Sequence, residues 1–148
     1  MDMQKVSEYD VTGKEIWSVA VPSPWSAERL ENGNTLIASN KKFVREVNPK
    51  GETVWEYAFA DAKGYKLASF QTATRLPNGN TLINNWANQP RDKTIVNTSV
   101  QAIEVTPDKQ IVWALRSWAP PANLGPSTTI QLLDKPGVPE DVHFGNIK

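Results

Sequence analysis

Hydrophobic and polar residues alternate along this chain in short runs. Lys14 to Val21 alternates around Ile16 and Trp17, and similar runs recur at 26–30, 35–39, 43–48, 52–59, 70–76, 81–85, 99–105 and 110–118. A period of two over so few residues predicts strands, with one side chain in two facing a core. Residues 4–9 predict one strand before them, and 127–133 one after. Gly, Pro, Asn and Asp separate the runs and predict tight turns. No helix of useful length is expected; 60–67 has room for a single turn, and Gly64 works against it.

The runs belong to a repeat. Leu30-Glu31-Asn32-Gly33-Asn34-Thr35-Leu36-Ile37 returns as Leu76-Pro77-Asn78-Gly79-Asn80-Thr81-Leu82-Ile83. Each copy is followed by a second signature, Val47-Asn48-Pro49-Lys50-Gly51-Glu52-Thr53-Val54-Trp55 and then Val105-Thr106-Pro107-Asp108-Lys109-Gln110-Ile111-Val112-Trp113. A further example, Tyr9-Asp10-Val11-Thr12-Gly13-Lys14-Glu15-Ile16-Trp17, stands near the start. Asn32-Gly33 and Asn78-Gly79 predict two-residue hairpins with positive φ at both central residues. Each full unit then reads as a four-stranded antiparallel meander, the size of one blade of a β-propeller.

The expectation is an all-β propeller with four-stranded blades, about three blades' worth in one unit over 1–148. Its parts are a half blade at 4–21, full blades at 25–59 and 70–118, and a half blade at 127–147. Trp17, Trp55 and Trp113 occupy equivalent outer-strand positions and are expected to dock adjacent blades, since one blade cannot bury its face alone.

Composition narrows the function. Lys plus Arg and Asp plus Glu are equal at 16 each, and the basic residues are scattered. Neither nucleic acid nor an anionic membrane is the expected partner. Without cysteine there is no disulfide, thiolate metal site or cysteine nucleophile. Asp61 and Asp92 are isolated, so no metal site is expected. Asn97-Thr98-Ser99 is a formal glycosylation sequon. No apolar stretch follows the N-terminus, so the sequence predicts neither signal peptide nor membrane span.

Asp10 to Trp17 resembles the tryptophan-docking repeat of quinoprotein-like β-propellers. The Leu-x-Asn-Gly-Asn-Thr-Leu-Ile strand pattern and the Asn48-Pro49-Lys50-Gly51 signature are similar to propellers of the arylsulfotransferase group. Many uncharacterised secreted bacterial proteins, Bacteroides-type ones among them, carry this pattern. The resemblance covers roughly 5–133 and implies a periplasmic or extracellular location. A sulfotransferase would imply several histidines and an arginine in the channel, whereas this sequence has one histidine, His143. A quinoprotein dehydrogenase would imply calcium and a channel cofactor. Neither can be placed here, and no cofactor is expected.

The remaining expectation is a binding or scaffold module. The long segments 60–69, 86–98 and 119–126 belong on one face of a propeller. They would present Tyr65, Lys66, Asn85, Trp86, Asn88, Gln89, Arg91 and Trp118 to a carbohydrate or protein ligand, unless Trp86 and Trp118 only pin their own loops. Trp25 and Phe70 open the innermost strands and either line the channel mouth or pack in the core. The alternative class is an enzyme with its site in a channel completed by oligomerisation. Three blades do not close a propeller, which needs ~4–8. The expected partner is a second copy in a six-bladed homodimer, or else the missing blades of a longer chain.

Overall fold

The computed structural model describes residues 4–87 and 98–132. Among these residues ten strands form three antiparallel sheets. The first is a hairpin of β1 (Lys5–Tyr9) and β2 (Glu15–Ala20). The second joins β3 (Pro24–Arg29), β4 (Thr35–Ser39), β5 (Phe43–Val47) and β6 (Thr53–Ala58) in sequence order. The third joins β7 (Phe70–Arg75), β8 (Thr81–Asn85), β9 (Ala102–Val105) and β10 (Ile111–Leu115), also in order. A 3-10 turn, Phe59–Asp61, follows β6.

The sheets stack face to face, and the second lies in the middle. Alternation along β4 and β5 sorts their side chains. Ile37, Phe43 and Val47 pack with Val21 and with Val6, Trp17 and Val19 on the side of the first sheet. Leu36, Ala38 and Val44 pack with Phe70, Ala73, Ile83 and Ile103 on the side of the third. With both faces covered, all five residues of β4 are buried. Burying a side chain such as Leu36 or Ile37 contributes about 1.5–3 kcal/mol. β7 lies against both β3 and β4, so the second and third sheets are closest at their opening strands. Tyr57 is fully buried there, stacked on Trp55 and tilted against Phe70. Burial, with the nearby Asp61 charge, pushes its phenol up to about 12.

All five tight turns share one hydrogen-bond pattern. In the first copy Gly33 N–H donates to the Leu30 carbonyl, and Leu30 N–H donates to the Asn34 carbonyl. The same pair of bonds closes 10–14, 48–52, 76–80 and 106–110. This corrects the expected two-residue hairpin. The loop has three residues, and only the third, Gly33 or Gly79, has positive φ. Asn32 instead accepts the Asn34 N–H through its side chain, as Asp10 and Asn48 accept N–H groups two and four residues on. An Asn-Gly pair serves both geometries; the second residue's conformation is common to them.

Two other expectations change. The strand expected at 99–105 begins only at Ala102, and Ser99 makes an isolated parallel bridge to Lys66. Residues 127–132 form no strand. They have no ladder partner among the described residues, and the Asn84 amide lies 2.7 Å from the Ser127 hydroxyl. The expected segment 133–147 lies outside the described residues, as does His143.

One turn breaks the glycine rule. Lys109 takes the left-handed place at φ 66°, where Gly51 has φ 83°. A Cβ costs about 1 kcal/mol there. The exposed Lys109–Asp61 ion pair, at 3.8 Å, offsets little of it. Lys109→Gly is therefore expected to stabilise the fold by roughly 0.5–1 kcal/mol. Gly51→Ala is expected to destabilise it by about 1 kcal/mol or more, because the added Cβ also meets Val19 Cγ2 at 3.4 Å. Denaturant midpoints of the two variants check both signs.

Candidate functional site

The strands run between two ends of different chemistry. One end carries the five tight turns. Here the sheet junctions are built from a repeated polar set. Trp17 Nε1 donates to the Pro49 carbonyl at 2.9 Å, and Trp55 Nε1 to the Pro107 carbonyl at 2.9 Å. Each indole thus reaches from one sheet to a turn of the next. An arginine from that next sheet covers each ring, Arg29 at 4.6 Å from the Trp17 ring and Arg75 at 5.3 Å from the Trp55 ring. Each arginine also donates to a carbonyl of its own turn, Gly33 or Gly79. Each pairs with a glutamate of the preceding sheet, Glu8 for Arg29 and Glu46 for Arg75.

Glu46 is nearly buried and takes Asn34 Nδ2 at 2.6 Å on its other oxygen. Glu104 takes Asn80 in the same way, also at 2.6 Å. The Asn-Gly-Asn segment therefore closes a hairpin and also holds the carboxylate that meets the next arginine. This set was missed by reading hydrophobic periodicity alone. The signal was present: Glu8, Glu46 and Glu104 precede Trp17, Trp55 and Trp113 by the same interval, and Arg29 and Arg75 precede the two Leu-x-Asn-Gly copies.

Two depressions open at this end. One of about 620 Å³ lies between Arg29 and Arg75, and one of about 640 Å³ lies between Arg75 and Gln131. The charges on their walls are largely spent on one another. Glu28 is set apart by its burial. Desolvation raises its carboxyl above the ordinary glutamate value, although the Arg75 backbone N–H, the Arg75 charge and the Thr74 hydroxyl pull it back. Among the described residues no three His, Cys, Asp or Glu side chains could hold a metal ion together.

The other end gathers the long connections. Asn85 is fully buried. Its Oδ1 accepts the N–H groups of Ala68 and Ser69, and its Nδ2 donates to the Val100 carbonyl at 2.6 Å. Its amide is fully engaged in tying three segments together. Lys66 bridges to Ser99, and Trp118 Nε1 donates to the Ser99 carbonyl at 2.7 Å, so Trp118 pins its own connection. Gln101 holds the backbone of Ser117 and Gly125. Tyr65 is exposed. Gln89 and Arg91, with Asn88, lie outside the described residues.

Trp86 meets an aromatic partner from the neighbouring sheet. Its ring lies 5.7 Å from that of Trp25, tilted by 39°. Trp25 is 43% exposed, whereas Phe70, which takes the place of Pro24 in the repeat, is wholly buried. The two positions paired in the sequence reading thus separate, one to the core and one to the surface. Trp25 is the extra residue of a bulge between Pro24 and Ser26, and Pro24 takes the buried place.

No family model matches the chain, and no curated protein matches it. Similar solved structures include two from Bacteroides species. One is a protein of unknown function from Bacteroides caccae, with 25% identity, a TM-score of 0.66 and coverage of 78% of this chain. The other, from Bacteroides fragilis NCTC 9343, is described as a "Putative exported protein"; it has 13% identity, a TM-score of 0.47 and 76% coverage. The match covers 43% of the first structure's chain and 32% of the second's, so this chain spans less than half of either.

The Glu28 environment gives a pH test. The folded state raises this carboxyl, so it disfavours the charged form. Stability from this group is complete in acid and is lost as pH rises through the folded value. Glu28→Gln is expected to raise the unfolding midpoint near neutral pH, with a gain that fades as pH falls through the carboxylate range. Denaturant titrations of both proteins at about pH 7 and about pH 3 measure the difference. A gain equal at both would contradict the burial argument.

Proposed function

We propose that this chain is a propeller-type repeat protein serving as a non-catalytic binding module, with a carbohydrate as its ligand. The propeller reading is supported by sequential four-stranded sheets stacked face to face, closest at their opening strands, and by a tryptophan junction that recurs between them. The resemblance to secreted quinoprotein-like repeats accords with it and suggests a location outside the cytoplasm.

The Trp25–Trp86 pair carries the ligand assignment. Leaving a large apolar ring 43% exposed costs hydration free energy. The pair is set on a strand start and a strand end, so it is rigid. Trp86 N–H is bonded to the Ser69 carbonyl at 2.8 Å, and Asn85 beside it is fixed on both sides of its amide. Indole faces suit the apolar faces of pyranose rings, while polar groups around them fix orientation.

The test is a panel of soluble oligosaccharides, followed by titration calorimetry with any that bind. Trp25→Ala and Trp86→Ala are each expected to weaken binding about tenfold or more, the loss of one ring contact. Far-ultraviolet circular dichroism should remain that of the parent protein. Binding to no sugar, or equal binding by the variants, would rule this ligand out.

A further inference from the structure

We propose that the turn end of the third sheet is a docking surface for a second copy of this chain, and that the Asp10–Gly13 turn of that copy is what it receives. The proposal rests on the propeller reading above, but not on the carbohydrate.

The two internal junctions define what a complete junction contains. A tryptophan on the last strand donates to a turn carbonyl of the next sheet, Pro49 or Pro107. A glutamate opposite that tryptophan in the ladder receives an arginine from the same next sheet. The third sheet repeats the receiving half. Trp113 is paired with Glu104 in the ladder, as Trp55 is with Glu46. Asn80 holds one oxygen of Glu104 as Asn34 holds one oxygen of Glu46. Yet among the described residues no arginine covers Trp113, its indole N–H has no acceptor, and the side chain is 38% exposed.

The chain also carries an unused turn of the accepting kind. Val11 stands in its turn where Pro49 and Pro107 stand in theirs. No described tryptophan reaches the Val11 carbonyl, and Val11 is 96% exposed. The first sheet has two strands among the described residues. Among the described residues β1 pairs only with β2, whereas its equivalents β5 and β9 are paired on both edges. An open edge of this kind invites a partner.

Residues 127–132 begin the missing unit on the receiving side. Gln131 and Leu132 line the second depression as Arg75 and Leu76 line the first, so this segment occupies the place of an opening strand. One copy therefore supplies the start of a unit and another supplies its closing hairpin. Two copies give a ring within the known range of ~4–8 blades.

Light scattering on a sizing column, with sedimentation velocity across concentration, tests this on the full chain. The expected mass is about twice 16.5 kDa. Trp113→Ala removes the indole donor. Val11→Glu changes a side chain that touches nothing within its own chain, so folding is unaffected, and it brings a carboxylate toward Glu104 of the other copy. Each is expected to raise the dimer dissociation constant about tenfold or more. Val54→Glu, on an exposed position of β6, is expected to leave it unchanged. A monomeric parent, a mass other than two copies, or a dimer indifferent to both Trp113→Ala and Val11→Glu would overturn the proposal. The sugar titration reads the opposite end, so either reading can fail alone.

Discussion

The indole of an outer-strand tryptophan, bonded to the turn of the next sheet, is the contact on which the arrangement depends. A sheet with one bare face has no stable existence in water, and the stacking of one sheet on the next supplies what it lacks. Apolar burial gives the stacking its free energy but little of its register. Register comes from directional groups. Trp17 and Trp55 each have one N–H and find one carbonyl, Pro49 or Pro107. The arginine over each ring then bonds its own turn and the neighbouring glutamate, so one guanidinium fastens two sheets and a hairpin. Glu46 shows how nearly this network is satisfied: one oxygen faces Arg75 and the other faces Asn34.

That junction also explains why the turns are uniform while the opposite connections vary. Turn carbonyls are the acceptors, so each turn must hold its geometry to a fraction of an ångström. The Asn, Asp or Thr side chain that locks it from within supplies that rigidity. At the other end no inter-sheet bond of this type is required. Long segments are accepted there, tied down individually by Asn85, Gln101 and Trp118.

Much of the fold was legible because its grammar is local. Period-two runs and Gly-containing turns located ten strands to within a few residues, and the recurring tryptophans marked equivalent positions. Three features were not legible, each for a physical reason. The turn type depended on whether two or three residues form the loop, and Asn-Gly suits both. Residues 127–132 match an opening strand in pattern, but a strand exists only with a ladder partner. The Arg75–Glu46 pair joins residues far apart in sequence, and hydrophobic patterning does not register charged side chains. For the candidate site, the sequence pointed to the end with long connections and to Trp86. It could not show that Asn85 is consumed internally, or that Trp25 turns outward while Phe70 turns in.

The junction has a direction, since the tryptophan always belongs to the earlier sheet and the accepting turn to the later one. Any closed arrangement built from it is head-to-tail around its whole circumference, with its rotation axis along the central channel. Its two rims are then chemically distinct. All the tight turns lie on one, and every copy of the Trp25–Trp86 pair lies on the other, facing the same way. Such an object has a front and a back. It would meet a flat, repetitive surface such as a polysaccharide with two contacts at once, and the second contact would form at the high effective concentration that the first imposes.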